Sequence, residues 1–255
     1  MASITYVFER VERKYLLTSK QYEGLMRILP EYMQMDQYGE SAVCSLYLDT
    51  DDSLLIRRST EKPCYKEKLR LRSYGVPTDN GDVLWEIKKK VHGVVYKRRV
   101  RMGAAQAMEC LLSGHVPEEA GQIGREIDYM LGHYQLKPAV YLAYDRTAYA
   151  EVAPTADRLR ITIDRNIRSR QTQLDLRLGD GGEPLLAPGL RLMEVKTARA
   201  IPLWLCAALE CNGILPTSFS KYGHVYEARL RAGAVPAAVR PAATKGGILD
   251  ACRYV

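Results

Sequence analysis

KEKLRLRSYG (66–75), VPTDNGD (76–82), VLWEIKKKVHG (83–93) and VVYKRRVR (94–101) form one continuous run of charge and alternation. It holds eleven Lys or Arg against four Asp or Glu, an excess equal to the +7 net charge of the whole chain. The rest of the sequence is balanced, so the positive field originates here. Lys68, Arg70 and Arg72 fall on every second residue, with Leu69 and Leu71 between them. Successive side chains of a strand point to opposite faces, so the cations share one face and the leucines the other. Glu86, Lys88 and Lys90 repeat the pattern on a second strand, and Lys97, Arg99 and Arg101 on a third. Neighbouring strands that share a cationic face predict a concave or closed surface built to hold a polyanion.

Working outward, Ile4–Leu17 alternates as a long strand with Arg10, Glu12 and Lys14 on one face. Thr18 is placed to cap a helix through Tyr22, Leu25 and Leu29. Val43–Asp49 reads as a second strand, and Asp49-Thr50-Asp51-Asp52 as the cap of a short helix through Leu55 and Ile56. Asp79-Asn80-Gly81-Asp82 and His92-Gly93 supply turn chemistry between the cationic strands. Helices follow at 104–114 and from Pro117 to Tyr134. Strands resume at Pro138–Val152, Leu159–Ile167 and Leu190–Thr197. An apolar helix over Ile201–Cys211 and a last one capped by Ser218 or Ser220 complete the pattern. The expectation is an α+β fold, eight antiparallel strands closing into a barrel with flanking helices, as a single domain over 1–231. An Ala/Pro/Gly-rich tail occupies 232–255.

Outside the central strands, Arg10-Glu12-Lys14, Tyr144-Arg146, Arg160-Thr162-Asp164 and Glu194-Lys196 also recur at period two. A solvated sheet face explains any one of them. Together with the central strands they make an excess of cations on one surface, which solvation alone does not favour. At an effective dielectric of about 20, two cations roughly 6 Å apart repel by about 3 kcal/mol before screening. A bound polyanion removes that cost.

Other chemistries find less support. The six cysteines include no C-x-x-C pair and no zinc spacing, and read as buried thiols of a reducing compartment, with cytoplasm the expected location. No run approaches the roughly 20 apolar residues needed to span a bilayer. The four histidines do not cluster at metal-ligand spacing, and there is no Gly-rich phosphate loop, so any ATP site must be made of side chains. A pI near 9.0 permits nucleic-acid binding. Stacking aromatics are sparse among the cations, however, with only Tyr74, Trp85 and Tyr96 in the central strands.

Nine short motifs carry a family likeness. They are VERKY (11–15), LYLDT (46–50), KLRLR (68–72), WEIKKK (85–90), YKRR (96–99), YDR (144–146), RITID (160–164), MEVK (193–196) and SKY (220–222). In order and spacing, over roughly 4–230, the chain resembles a VTC-type polyphosphate polymerase domain of the CYTH or triphosphate tunnel superfamily. The resemblance implies a tunnel lined by basic residues, in which the γ-phosphate of ATP passes to a growing inorganic polyphosphate chain. It implies phosphate-holding, catalytic roles for Lys14, Arg70, Arg72, Lys88, Lys97, Arg146, Arg160, Lys196 and Lys221. Tyr144 and Ser220 would add neutral hydrogen bonds, and Arg10, Lys68, Lys90 and Arg99 further cationic contacts. Glu194 would hold a divalent cation, Mg²⁺ or Mn²⁺, with Glu12 and Glu86 as further candidates. Hydrolytic tunnel enzymes open on E-x-E-x-K, whereas Arg10 stands at the first position here and Glu9 is out of phase. That favours the polymerase over a tunnel triphosphatase, polyphosphatase or non-catalytic polyphosphate binder.

Overall fold

A computed structural model describes residues 11–61, 63–92, 94–155 and 158–233. Arg10, Glu9, the first residues of the opening strand, Gly93, Cys252 and nearly all of the tail lie outside them.

Ten strands and six α-helices follow one another as β1 (Val11–Leu17), α1 (Ser19–Met26), β2 (Met33–Asp49), α2 (Leu54–Thr60), β3 (Tyr65–Tyr74), β4 (Asp82–Val91) and β5 (Val94–Gly103). Then come α3 (Ala104–Ser113), α4 (Gly121–Tyr134), β6 (Lys137–Glu151), β7 (Arg160–Arg170), β8 (Glu183–Pro184), β9 (Arg191–Thr197), α5 (Leu203–Cys211), β10 (Pro216–Thr217) and α6 (Lys221–Arg231). All pairings are antiparallel. The order is β10-β1-β9-β7-β6-β2-β3-β4-β5, with β8 on β7.

The eight long strands are those the alternation predicts, and β8 and β10 add two residues each. Closure differs from the expected barrel in one respect: the hydrogen-bonded path is open, with β5 and β10 at its ends. β10 covers part of the β1 edge, and its Pro216 has no N–H to extend the ladder. The sheet nevertheless curls. Lys88 of β4 feels the charges of Glu12, Lys14 and Lys196, although β4 lies six steps from β1 along the sheet. Side chains, not a backbone ladder, join the two flanks.

The leucine faces point outward, beneath helices. Leu46, Leu48, Leu69, Leu71, Trp85 and Ile87 pack under α3 and α4 with Ala107, Ile127 and Met130. Tyr15, Leu17, Ile161, Ile163, Met193 and Val195 pack with Leu25 of α1 and Leu205 and Ala208 of α5. Each side chain so buried contributes about 1.5–3 kcal/mol, which fixes strand parity and therefore turns the cations inward. A smaller cluster lies on the inner face, where Val140 and Leu142 meet Tyr222, Val225 and Tyr226 of α6.

Local chemistry sets the helix starts. The Thr18 side chain accepts from Gln21 N while the Gln21 side chain returns to Thr18 N, a reciprocal cap. The Asp49 carboxylate accepts from Leu55 N at 2.8 Å and Ile56 N at 3.0 Å, and also from Tyr222 Oη at 2.8 Å, tying α2 to α6. Ser220 caps α6 through Gly223 N. Past Pro117 the chain makes a single 3-10 turn, Glu118–Ala120, and α4 starts only at Gly121, whose φ is 63°.

Two expectations need amendment. β2 starts at Met33, ten residues before the predicted strand, because Met33–Ala42 is polar, mostly exposed and broken by a bulge between Met35 and Glu40. Of the cysteines, Cys44 and Cys110 are buried, but Cys206 and Cys211 on α5 are exposed.

Candidate functional site

The inner face gathers its charges around two buried carboxylate nodes. The first is Glu86, 1% exposed, on β4. Arg70 grips it through Nε at 2.9 Å and Nη2 at 2.6 Å, Lys97 reaches it at 2.5 Å and Arg72 Nε stands 3.7 Å away. Burial pushes the Glu86 carboxyl up, but Arg70, Arg72 and Lys97 outweigh it and hold the group at about 2. The second node pairs Asp164 of β7, fully buried, with Glu194 of β9. Arg146 forks onto Asp164 at 2.6 and 2.8 Å, and Lys221 Nζ lies 2.5 Å from it. Glu194 is surrounded by Lys196 at 3.1 Å, Lys14 at 3.7 Å, Lys221 at 3.8 Å and Arg146 at 3.9 Å. Against its burial, those cations hold the Glu194 carboxyl well below the usual range.

Neutral groups bridge the nodes. Arg72 Nη2 donates to Tyr144 Oη at 3.3 Å, while Arg146 and Lys221 sit 5.0 and 4.4 Å from the Tyr144 ring centroid. Lys68 Nζ donates to Ser220 Oγ at 3.4 Å, and Lys14 Nζ to Phe219 O at 2.8 Å. Strand residues from both flanks thus meet the first turn of α6 in one lumen.

The fold therefore brings together Lys14, Arg70, Arg72, Lys97, Arg146, Lys196, Lys221, Tyr144, Ser220, Glu12, Glu86 and Glu194, with Lys68 and Lys88 on the same face. Arg160 is placed differently: half exposed, it pairs with Asp36 of the β2 bulge at 2.9 Å and stands at the rim. Lys90 and Arg99 share the inward parity, but Arg99 is exposed. The sequence reading gave no role to Asp164, Tyr47, Ser45 or Thr162. Asp164 was visible as the third member of a period-two face. The Ser45 and Thr162 hydroxyls are buried without a hydrogen-bond partner on the inner side of β2 and β7, and no sequence signal marks them.

Among the described residues no three His, Cys, Asp or Glu side chains converge as a metal cage. Glu194 and Glu12 share Lys14 and Lys196, an arrangement that fits a hard divalent ion taking one or two carboxylates with phosphate and water oxygens. Glu86 does not fit that role, since Arg70, Arg72 and Lys97 enclose its carboxylate.

The excess of positive charge leaves a titration signature. Burial, reinforced by Lys88, Lys14 and Lys66, depresses Lys68 to about 8. Burial with Arg72 and Arg70 likewise holds Lys97 at about 8 despite Glu86, and Lys88 is lowered in the same way. A bound polyanion favours the ammonium forms, so binding above pH 8 must take up protons. Affinity for inorganic tripolyphosphate is expected to be insensitive to these lysines below pH 8. It should fall above that pH by up to about tenfold per unit for each lysine titrating. Calorimetry across pH 7–9.5, corrected for the ionisation of the ligand, checks the slope.

No curated protein sequence matches the chain. Among solved structures, a "putative adenylate cyclase" of Bacillus halodurans aligns with 83% of this chain and 93% of its own, at 16% identity and a TM-score of 0.50, a likeness of fold. A Hippeastrum protein described by its dominant triphosphatase activity aligns over 88% of this chain and 96% of its own, at 15% identity and TM-score 0.48. The PH1819 protein of Pyrococcus horikoshii OT3 covers 87% and 100%, at 12% identity and TM-score 0.44. The VTC domain profile matches residues 9–229, most of the chain and all nine motifs of the sequence reading, and the chain belongs to the VTC domain family.

Proposed function

We propose that the protein is a polyphosphate polymerase, transferring the γ-phosphoryl group of ATP to a growing inorganic polyphosphate chain inside the basic lumen. The observation that carries the reading is the convergence of Lys14, Arg70, Arg72, Lys97, Arg146, Lys196 and Lys221, from five strands and one helix, around two carboxylate nodes. A lumen of that sign suits a chain of phosphoryl groups. Phosphoryl transfer asks little covalent chemistry of a protein, and positioning with neutralisation of spreading negative charge does most of the work.

In this reading Arg70, Arg72 and Arg146 present planar forks to non-bridging oxygens. Lys14, Lys97, Lys196 and Lys221 offset charge along the chain, and Tyr144 and Ser220 orient it. Lys68 and Lys88 extend the track, while Lys90, Arg99 and Arg160 draw the anion in from the rim. Glu194, assisted by Glu12, would hold Mg²⁺ or Mn²⁺, whose chemistry is to shield the β- and γ-oxygens. Residues 1–231 would act as one domain, in the cytoplasm where ATP is abundant.

Incubation with ATP and Mn²⁺, followed by gel analysis of product length, tests the proposal. Acid-labile polymer and ADP are the expected products. Orthophosphate alone would assign a hydrolase, and an unconsumed but tightly bound nucleotide would assign a binding module.

A further inference from the structure

Tyr47 belongs to no phosphate-binding set named above, yet it sits at the centre of the cationic face. It lies on β2, in register with Arg70 of β3 and Val140 of β6. Three of the five Arg70 N–H groups are in use. Nε and Nη2 are on Glu86, while Nη1 donates to Tyr47 Oη at 2.7 Å. A phosphate oxygen that takes one of these three N–H groups must displace its partner. Glu86 is also held by Lys97 and Arg72, so moving it breaks three ion pairs, whereas Tyr47 is held by a single hydrogen bond. The exchangeable partner is the phenol.

We propose that Tyr47 is a further positioning residue of the lumen. Its phenol oxygen occupies Arg70 Nη1 when no anion is bound, and yields it to a phosphoryl oxygen on binding. This rests on the polyphosphate reading above. The charges around Tyr47 explain how it does so. Lys68, Arg70 and Arg72 face it from β3, and Glu86 of β4 reaches it only through Arg70. From α6, Tyr222 packs on it with ring centroids 5.0 Å apart and spends its own hydroxyl on Asp49, while β6 offers the apolar Val140 and Leu142. Burial pushes the Tyr47 phenol up, but the three cations overcome it and pull it down to about 7. Near neutral pH the ring is therefore part phenolate, a resident counter-ion for Arg70. An arriving polyanion cancels the field, the phenolate takes one proton from solvent, and the resulting O–H donates to a phosphate oxygen.

The test is a near-ultraviolet titration of tyrosinate in wild type and Tyr47→Phe, with and without inorganic tripolyphosphate, alongside calorimetry. Without tripolyphosphate, one tyrosine of the wild type should ionise near pH 7, and that step should be missing in Tyr47→Phe. With tripolyphosphate the wild-type step should move up by a pH unit or more. Between about pH 7 and 8 wild-type binding should take up about half a proton or more beyond that of Tyr47→Phe, and its affinity should fall by roughly three- to fivefold relative to that variant. The ionisation of the ligand is common to both proteins and cancels in the comparison. The wild-type titration needs no variant, so it decides the matter even if Tyr47→Phe folds poorly. Tight tripolyphosphate binding with no early tyrosine, or with identical pH profiles, would overturn the role of Tyr47 alone. No tripolyphosphate binding by either protein would overturn the polyphosphate reading and this role with it.

Discussion

Glu86→Gln is expected to lower the melting temperature by on the order of 10 °C and to make the protein depend on anions for its stability. The carboxylate is 1% exposed and neutralises Arg70, Arg72 and Lys97 at once. Glutamine keeps the shape and one acceptor but removes the charge, leaving the poorly solvated Arg70 and Arg72 guanidinium groups, and the more open Lys97 ammonium, uncompensated. Breaking a buried ion pair by removing one partner costs about 3–5 kcal/mol, because the charge left behind is uncompensated. In a domain of this size each kcal/mol moves the melting temperature by roughly 2–4 °C. Tripolyphosphate should return much of the loss, since a ligand at 100 times its Kd adds about 2.7 kcal/mol. The sign with pH follows from the depressed carboxyl. Its contribution is complete above the ordinary glutamate range and disappears only as pH falls towards 2, so wild type and variant should converge in acid. Thermal unfolding with and without tripolyphosphate measures both effects. A shift of less than a few degrees at neutral pH without anion would mean that water already solvates those guanidinium groups.

The same pair of facts, an alternating strand and a hidden counter-charge, marks what could be read from the sequence. KLRLR determines its own orientation, because Leu69 and Leu71 can be buried only on the face that sends Lys68, Arg70 and Arg72 to the other side. The caps were legible for the same local reason, since Thr18, Asp49 and Ser220 each bond to backbone within a few residues. Pairings across the lumen were not. Lys88 feels Glu12, Lys14 and Lys196, and Lys68 meets Ser220, through a curl of the sheet that no local pattern encodes. Thus Glu86, read as a metal candidate, proves to be the anchor of three cations, and Asp164 enters the site through Lys221 of α6. Arg160 has the right parity, but the β2 bulge brings Asp36 to it at the rim. That bulge lies in a polar stretch with no clear alternation, the weakest strand signal in the chain.

Glu194→Gln should separate turnover from binding. Glu194 faces Lys14, Lys196, Lys221 and Arg146, and those cations keep it ionised at any pH near neutral. Its charge is therefore available to a divalent ion, while Asp164 beside it is already committed to Arg146 and Lys221 at 2.8 Å or less. Loss of the charge would remove the proposed anionic ligand of the metal but leave every cation of the lumen in place. Mn²⁺-dependent consumption of ATP is expected to fall by roughly a thousandfold, of the order seen when one electrostatic stabiliser of a transition state is removed. Tripolyphosphate binding without metal should stay equal or tighten, because a negative charge has left a lumen that binds anions. Stability should suffer less than in Glu86→Gln, since Asp164 remains to neutralise Arg146 and Lys221. Steady-state rates at several Mn²⁺ concentrations, with calorimetry of tripolyphosphate in chelator, separate the terms. Unchanged turnover would remove Glu194 from the metal site, whereas equal losses of turnover and metal-free binding would make it a scaffold for the lysines around it.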